Sequence, residues 1–316
     1  MNSLLRSITF LSLVLICLTV TLRAQQDLLA LPQVPEAEGE DQAEFRRQIW
    51  QLNLSTESQY IIGSDLDGAD GEIDIWSNRL RLNYGGGAWL GSRFDFQLSF
   101  ENRQYDFEGQ NSFLPGTNDP WDSVNSFGVG VTFFQAFSKS WGGLIQATVR
   151  AAAEGGADLT DGVSGIIVAG VGHQFADNFR LGLGVTSIFR FEDSAIFLPG
   201  FIVDWQIDDD WRIAILGPQA EISYQATKDW QFGVGAGLDG RRYRLDDDNF
   251  NAIAQEFRVP VFARASWTPS TQTRLQLRFG VDIYREFNIS DRNGENGRTF
   301  QADPGFFVSF SISHTF

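Results

Sequence analysis

The chain has 316 residues, with 24 Lys and Arg against 40 Asp and Glu, a formal charge of −16. At 43% hydrophobic and 20% charged it is too apolar for disorder, and so large an excess of acid argues against a nucleic-acid-binding domain, which needs a basic surface. Two His, one Cys and one Met leave few soft ligands for a zinc or haem centre, and no cofactor is expected.

Residues 1–24 read as a leader. Arg6 precedes an apolar run from Ile8 to Val20, and the small residue Ala24 follows, the order of a secretory signal peptide. The run is shorter than the roughly 18–20 residues of a spanning helix. A lipoprotein signal at Cys17 would need a small residue where Ile16 stands. Arg6, Cys17 and Arg23 leave with the leader, so 22 basic and 40 acidic residues remain, and no cysteine. An exported chain of this kind must be held by something other than disulfides. Residues 25–48, rich in Gln, Pro and Glu, read as a flexible periplasmic lead-in, and 49–316 as one domain.

From residue 50 onward apolar and polar residues alternate with period two. In 273–287, Leu275, Leu277, Phe279, Val281, Ile283 and Phe287 share one face, and Arg274, Gln276, Arg278, Asp282, Tyr284 and Glu286 share the other. Successive strand side chains point to opposite faces, so this is a strand with one greasy and one charged side. The division recurs at Phe94–Phe100, Phe179–Val185, Trp230–Leu238 and Phe257–Trp267, where Pro260 marks a bulge. Strands are predicted at 50–62, 73–84, 93–105, 124–137, 141–153, 163–175, 179–191, 198–207, 211–216, 219–225, 230–245, 253–267, 273–287 and 304–316. Fourteen is the preferred number and twelve the alternative, because 211–216 and 219–225 are each shorter than the roughly 9–11 residues of a spanning strand.

The connections alternate between short turns and long loops. Those assigned to the far rim hold 18 acidic residues and two basic ones. Such a plan is that of a closed antiparallel transmembrane β-barrel with short periplasmic turns and long extracellular loops. A soluble two-sheet sandwich would show the same alternation, but other features favour the barrel. Trp89, Trp141, Trp205, Trp211, Trp230 and Trp267 each lie near a short turn, as a membrane-interface girdle requires. The polar faces carry Arg rather than Lys, which suits a crowded, paired lumen wall.

The last strand, FFVSFSISHTF, sets Phe306, Val308, Phe310, Ile312, His314 and Phe316 on one face. An alternating final strand that ends in Phe resembles the terminal signal of Gram-negative outer-membrane proteins. The resemblance implies recognition of Phe310, Ile312 and Phe316 by the barrel assembly machinery. With the phrases FLPGFIVDWQIDDDWRIAILGP and ISYQATKDWQFGVGAGL, the layout of 50–316 looks like outer-membrane β-barrel families of unknown function. Such families transfer no functional residues. The resemblance places the chain in the cell outer membrane, with its lipid as partner.

The candidate lumen lining is Arg79, Arg81, Arg93, Asp95, Glu101, Arg103, Arg180, Arg258, Arg264, Arg274, Arg278, Asp282 and Glu286. Further positions on the same faces include Glu57, Arg150, Asp204, Arg212, Glu221 and Asp239. The lining supports a narrow path for small polar or anionic solutes, or a paired plug that shuts the barrel. Inward glycines, among them Gly170, Gly172, Gly182, Gly184 and Gly235, leave room on the wall or relieve its curvature. A structural barrel would instead make contacts through the loop 106–123, with Phe113, Pro115 and Trp121. Outer-membrane acyl hydrolases resemble each other in placing a Ser–His pair near the outer rim, whereas His173 and His314 fall at the short-turn rim, so a lipid hydrolase is the least favoured reading and no enzyme is expected. In the loop SDLDGADGEID, Asp65, Asp67, Asp70 and Glu72 offer oxygens to a hard cation such as Ca²⁺, but Ala69 breaks the EF-hand spacing.

Overall fold

The computed structural model describes residues 50–316 apart from 67–69, 88–90, 111–119, 191–192 and 247–250. The leader, the lead-in 25–48, Trp89, Asp67, Phe113 and Pro115 lie outside the described residues.

Alternation produces strands nearly everywhere it was read. The segments are β1 (Gln51–Asp65), β2 (Asp70–Gly87), β3 (Ser92–Gln110), β4 (Ser123–Ala136), β5 (Trp141–Glu154), β6 (Val163–Ala176), β7 (Phe179–Arg190) and β8 (Asp193–Gln206). After them come β9 (Trp211–Leu216), β10 (Gln219–Gln225), β11 (Trp230–Ala236), β12 (Asp239–Arg244), β13 (Ile253–Ser270), β14 (Thr273–Ser290), β15 (Arg298–Ala302) and β16 (Gly305–Thr315). β11 and β12 lie end to end along β13, and β15 and β16 end to end along β14, so each pair is one interrupted strand. The wall therefore has 14 antiparallel strands. It closes where β1 pairs β16, from Asn53 opposite Thr315 to Ile61 opposite Phe307.

Several strands outrun their expected ends. Segments 63–65, 70–72, 106–110 and 298–302 belong to the ladder. Their acids and glycines read as loop because the greasy face stops there. The hydrogen-bonded wall continues beyond it.

The outer face is apolar at mid-height. Phe279 is 62% exposed and Leu277 47%, so neither lies in a two-sheet core. At the short-turn rim Trp141, Trp205, Trp211, Trp230 and Trp267 are all exposed, and Trp230 stacks on Trp267 at 5.9 Å.

The wall is uneven. β9 and β10 turn back at Gly217-Pro218, half-way up. β8 pairs β9 only over Ile202–Gln206, and no described strand covers the upper part of that edge. Gly217 N–H donates to the Phe201 carbonyl, so Phe201 turns its backbone groups to this notch. Pro199, two residues along, faces the same way and has no N–H to leave unpaired. Across the notch, β12 and the start of β13 lean into the barrel. Arg244 forms a parallel bridge to Ala153 of β5, and every residue from Ile253 to Arg258 is buried. One face of this hairpin packs on the inner wall of β6–β8, where Phe257 meets Ile166, Val168, Ile188 and Leu198. The other face joins Trp121, Tyr105, Phe107 and Phe287 in the main apolar cluster, which fills the long-loop end of the lumen.

The bulge at Pro260 is present, and it carries a consequence that alternation hid. The ladder slips between Val259–Tyr284 and Pro260–Asp282, so the faces of β14 swap beyond Ile283. Phe287, read as lipid-facing, points inward and is buried. Glu286, read as lumen-lining, stands opposite Phe257, on the face away from the lumen ions. Its place is taken by Arg285, opposite Arg258.

Candidate functional site: a charged lumen beneath an aromatic seal

The inward positions of β1–β3, β5 and β8–β14 bring arginines and carboxylates to successive levels. Near the short turns, Arg93 chelates Asp95 at 2.8 Å and Arg212 donates to Asp204 at 2.7 Å. Higher up, Arg264 donates to Glu221 and to Ser266 Oγ at 2.7 Å. Arg180 and Arg274 lie on the wall at the short-turn end, outside the central cluster.

At mid-height the ions merge into a network. Glu101 holds Arg79 at 2.8 Å, Arg241 at 3.2 Å and Arg150 at 3.7 Å. Asp239 holds Arg241 and, at 3.0 Å, Arg258. Arg258 reaches Asp282 at 3.1 Å and the Gln59 amide oxygen at 2.9 Å. Glu57 receives Arg278, and Arg79 at 3.6 Å. Arg suits this wall because its planar fork serves several acceptors and its charge survives burial.

Above lies a drier layer. Glu256 sits between Arg103 at 2.9 Å and Arg285 at 3.2 Å, all three buried. The guanidiniums cover aromatic faces, Arg103 over Tyr105 and Arg285 over Phe287. The seal itself is aromatic, with Trp121 edge-on to Phe107 at 5.0 Å and to Tyr105 at 5.6 Å, and Tyr243 beside both Trp121 and Tyr105. Trp121, expected in an exposed contacting loop, is 1% exposed and forms the centre of this seal.

Beneath the seal the break between β11 and β12 leaves a cavity of about 100 Å³, lined by Arg79, Arg81, Arg241, Arg258 and Arg278 with Glu57 and Asp239. Of the expected lining, Arg79, Arg81, Glu101, Arg103, Arg258, Arg264, Arg278 and Asp282 are brought to this central region. Arg241, Glu256 and Arg285 were missed. Arg241 and Glu256 share the parity of Asp239 and Arg258, a signal that was readable; Arg285 depends on the bulge.

No group of three metal-ligating side chains forms among the described residues. Asp65 stands opposite Glu72 in the β1–β2 ladder, while Asp67 and the side chain of Asp70 are outside the described set. Both histidines belong to the rim aromatics. His173 packs edge-on to Trp141 at 4.6 Å, and His314 bonds Thr273 Oγ1 at 2.9 Å and packs on Phe316.

The chain is similar in structure to an outer-membrane channel from Pseudomonas putida F1, with a TM-score of 0.45 and 11% identity over 89% of this chain and 100% of that one. It is similar also to the P. putida toluene transporter TodX, with a TM-score of 0.40 and 12% identity over 84% of this chain and 90% of that one. A third likeness is to Pseudomonas putida OprB, with a TM-score of 0.39 and 7% identity over 88% of this chain and 97% of that one. No curated protein matches the sequence. Residues 122–316 match the family described as a domain of unknown function (DUF6268), and the chain belongs to that family.

Proposed function

We propose that this member of the DUF6268 family is a narrow, porin-like conduit for small polar solutes in the bacterial outer membrane, reached through the predicted leader. The observation that carries this reading is the charged, water-accessible cavity inside a wall whose outer face is hydrocarbon-like. A closed barrel leaves no sheet edge to lipid along its paired wall. An apolar belt of this extent belongs in a bilayer rather than in water. The lumen arginines and carboxylates then serve solutes that lipid excludes. Outer-membrane lipid and, through Phe310, Ile312 and Phe316, the barrel assembly machinery are the partners of this reading. Neither histidine is assigned a catalytic role.

The aromatic seal favours a second reading, a barrel that is shut and purely structural. Planar-bilayer recording separates the two. The conduit reading expects small, discrete conductance steps from the purified protein and larger ones after Trp121→Ala with Tyr243→Ala, which empties the seal. Silence from both proteins across salt and voltage rejects the conduit.

A further inference from the structure

The charge around the cavity does not balance. Five guanidiniums line it against two carboxylates. Adding the acids just behind the lining, Glu101 and Asp282, also adds Arg150, which shares Glu101, and leaves six cations against four anions. Guanidinium groups do not relieve such an excess by losing protons. The remaining lining is partly apolar, with Leu238, Pro260, Phe262 and Phe307, and such low-dielectric walls focus the field of the excess positive charge on the water-accessible space. Arg241 is 5% exposed, lines the cavity, and shares its guanidinium between Asp239 and Glu101. A space of about 100 Å³ is well above the ~10–15 Å³ that one water needs, so a small anion with some of its water fits.

We infer that this cavity is a binding site for a small oxyanion, a carboxylate or a phosphate, held among Arg81, Arg241 and Arg258 as it passes through the lumen. The inference rests on the conduit reading for its physiological use, and the site itself can be tested without it. The break at Gly237–Leu238 is what builds the site. It ends the β11 ladder, lets β12 swing inward, and so carries Arg241 and Asp239 from the wall toward the axis, opposite Arg79 and Arg81. A planar or tetrahedral oxyanion is the group that several guanidinium forks share best.

The test is calorimetric titration of inorganic phosphate, and separately of acetate, into the full-length protein in detergent, with bilayer recording of the same preparations. Saturable phosphate binding that weakens as ionic strength rises is expected. Arg81→Gln weakens it about tenfold or more, whereas Arg274→Gln, on the wall outside the cavity, leaves it unchanged. Asp239 is held by Arg241 and Arg258, so changing either strips it of a partner, whereas Arg81 is a half-buried lining residue. Absence of saturable binding of either anion to the wild-type protein overturns the site, as does binding indifferent to both Arg81→Gln and Arg241→Gln. Phosphate binding by a protein that conducts nothing keeps the site and removes the conduit. Conduction without binding does the reverse.

Discussion

Glu256 is a single carboxylate shared by two buried guanidiniums, at 2.9 Å from Arg103 and 3.2 Å from Arg285. Removing its charge leaves two buried cations without the carboxylate they share, the costly way to break an ion pair. Glu256→Gln is expected to lower the unfolding free energy in lipid vesicles by about 3–5 kcal/mol, read from denaturant titrations. A loss under 1 kcal/mol would mean that water reaches this layer. A second residue-scale prediction lies in the loop between β5 and β6. The Asp158 carboxylate accepts the Thr160 N–H at 2.9 Å and its hydroxyl at 2.8 Å, which holds its pKa below the ordinary 3.8. A lowered folded value means that the turn gains support above the ordinary pKa and loses it as pH falls through the lowered one. Thr160→Val is therefore expected to move the Asp158 midpoint up toward 3.8 in a carbon-detected NMR titration, and an unmoved midpoint would contradict the bond. Asp239, Arg258 and Asp282 were legible as lumen residues because each keeps the polar parity of its strand. Arg285 and Glu286 were not, because one extra residue in the ladder exchanges their faces.

At the scale of elements, glycine placement separates strands that touch from strands with room. A Cβ on Gly280 would lie 2.2 Å from the Val261 carbonyl oxygen and 2.8 Å from the Phe307 ring. Backbone cannot yield there without breaking the β13–β14 ladder. A Cβ on Gly172 would meet nothing nearer than the Leu181 carbonyl oxygen at 3.7 Å. Gly280→Ala is expected to destabilise the barrel by about 1–3 kcal/mol, the range for overpacking, while Gly172→Ala stays within about 0.5 kcal/mol. Refolding into lipid vesicles measures both, and equal effects would show that inward glycine serves curvature alone. The inward lean of β12 and β13 was beyond the reach of alternation. A period-two pattern tells which residues share a face, and Phe257 and Val259 do share one. It does not tell whether that face meets lipid or, as here, the inner wall of β6–β8. Two readable hints pointed to the lean: Pro260 in mid-strand, and a β9–β10 hairpin too short to cover its neighbours.

For the whole molecule, length and alternation were enough for strand number and direction, since a barrel repeats one local rule around its circumference. The seal was not legible. It is assembled from Trp121, Tyr243 and Phe287, far apart in sequence, and its existence depends on the lean of one hairpin. Closure depends on another distant pairing. β16 joins β14 on one side and β1 on the other, and Phe316 N–H donates to the Leu52 carbonyl at 2.8 Å. Without β16, residues 53–61 of β1 and 273–282 of β14 would both present unpaired backbone, and in the proposed outer-membrane setting lipid offers it no hydrogen bonds. Direct pairing of those two strands would have to join parallel neighbours, because β1 and β14 both run antiparallel to β16. Deleting residues 305–316 is therefore expected to abolish the compact, heat-sensitive band of the barrel on unheated detergent gels and its protease resistance in vesicles. Internal deletion of the β9–β10 hairpin, 211–225, is expected to be milder. It removes two short strands and leaves the outer half of the wall, where β12 meets β5 at the Arg244–Ala153 bridge, with the same neighbours. If the β16 deletion migrated as compactly as the intact protein, the N- and C-terminal strands would not be what holds the cylinder shut.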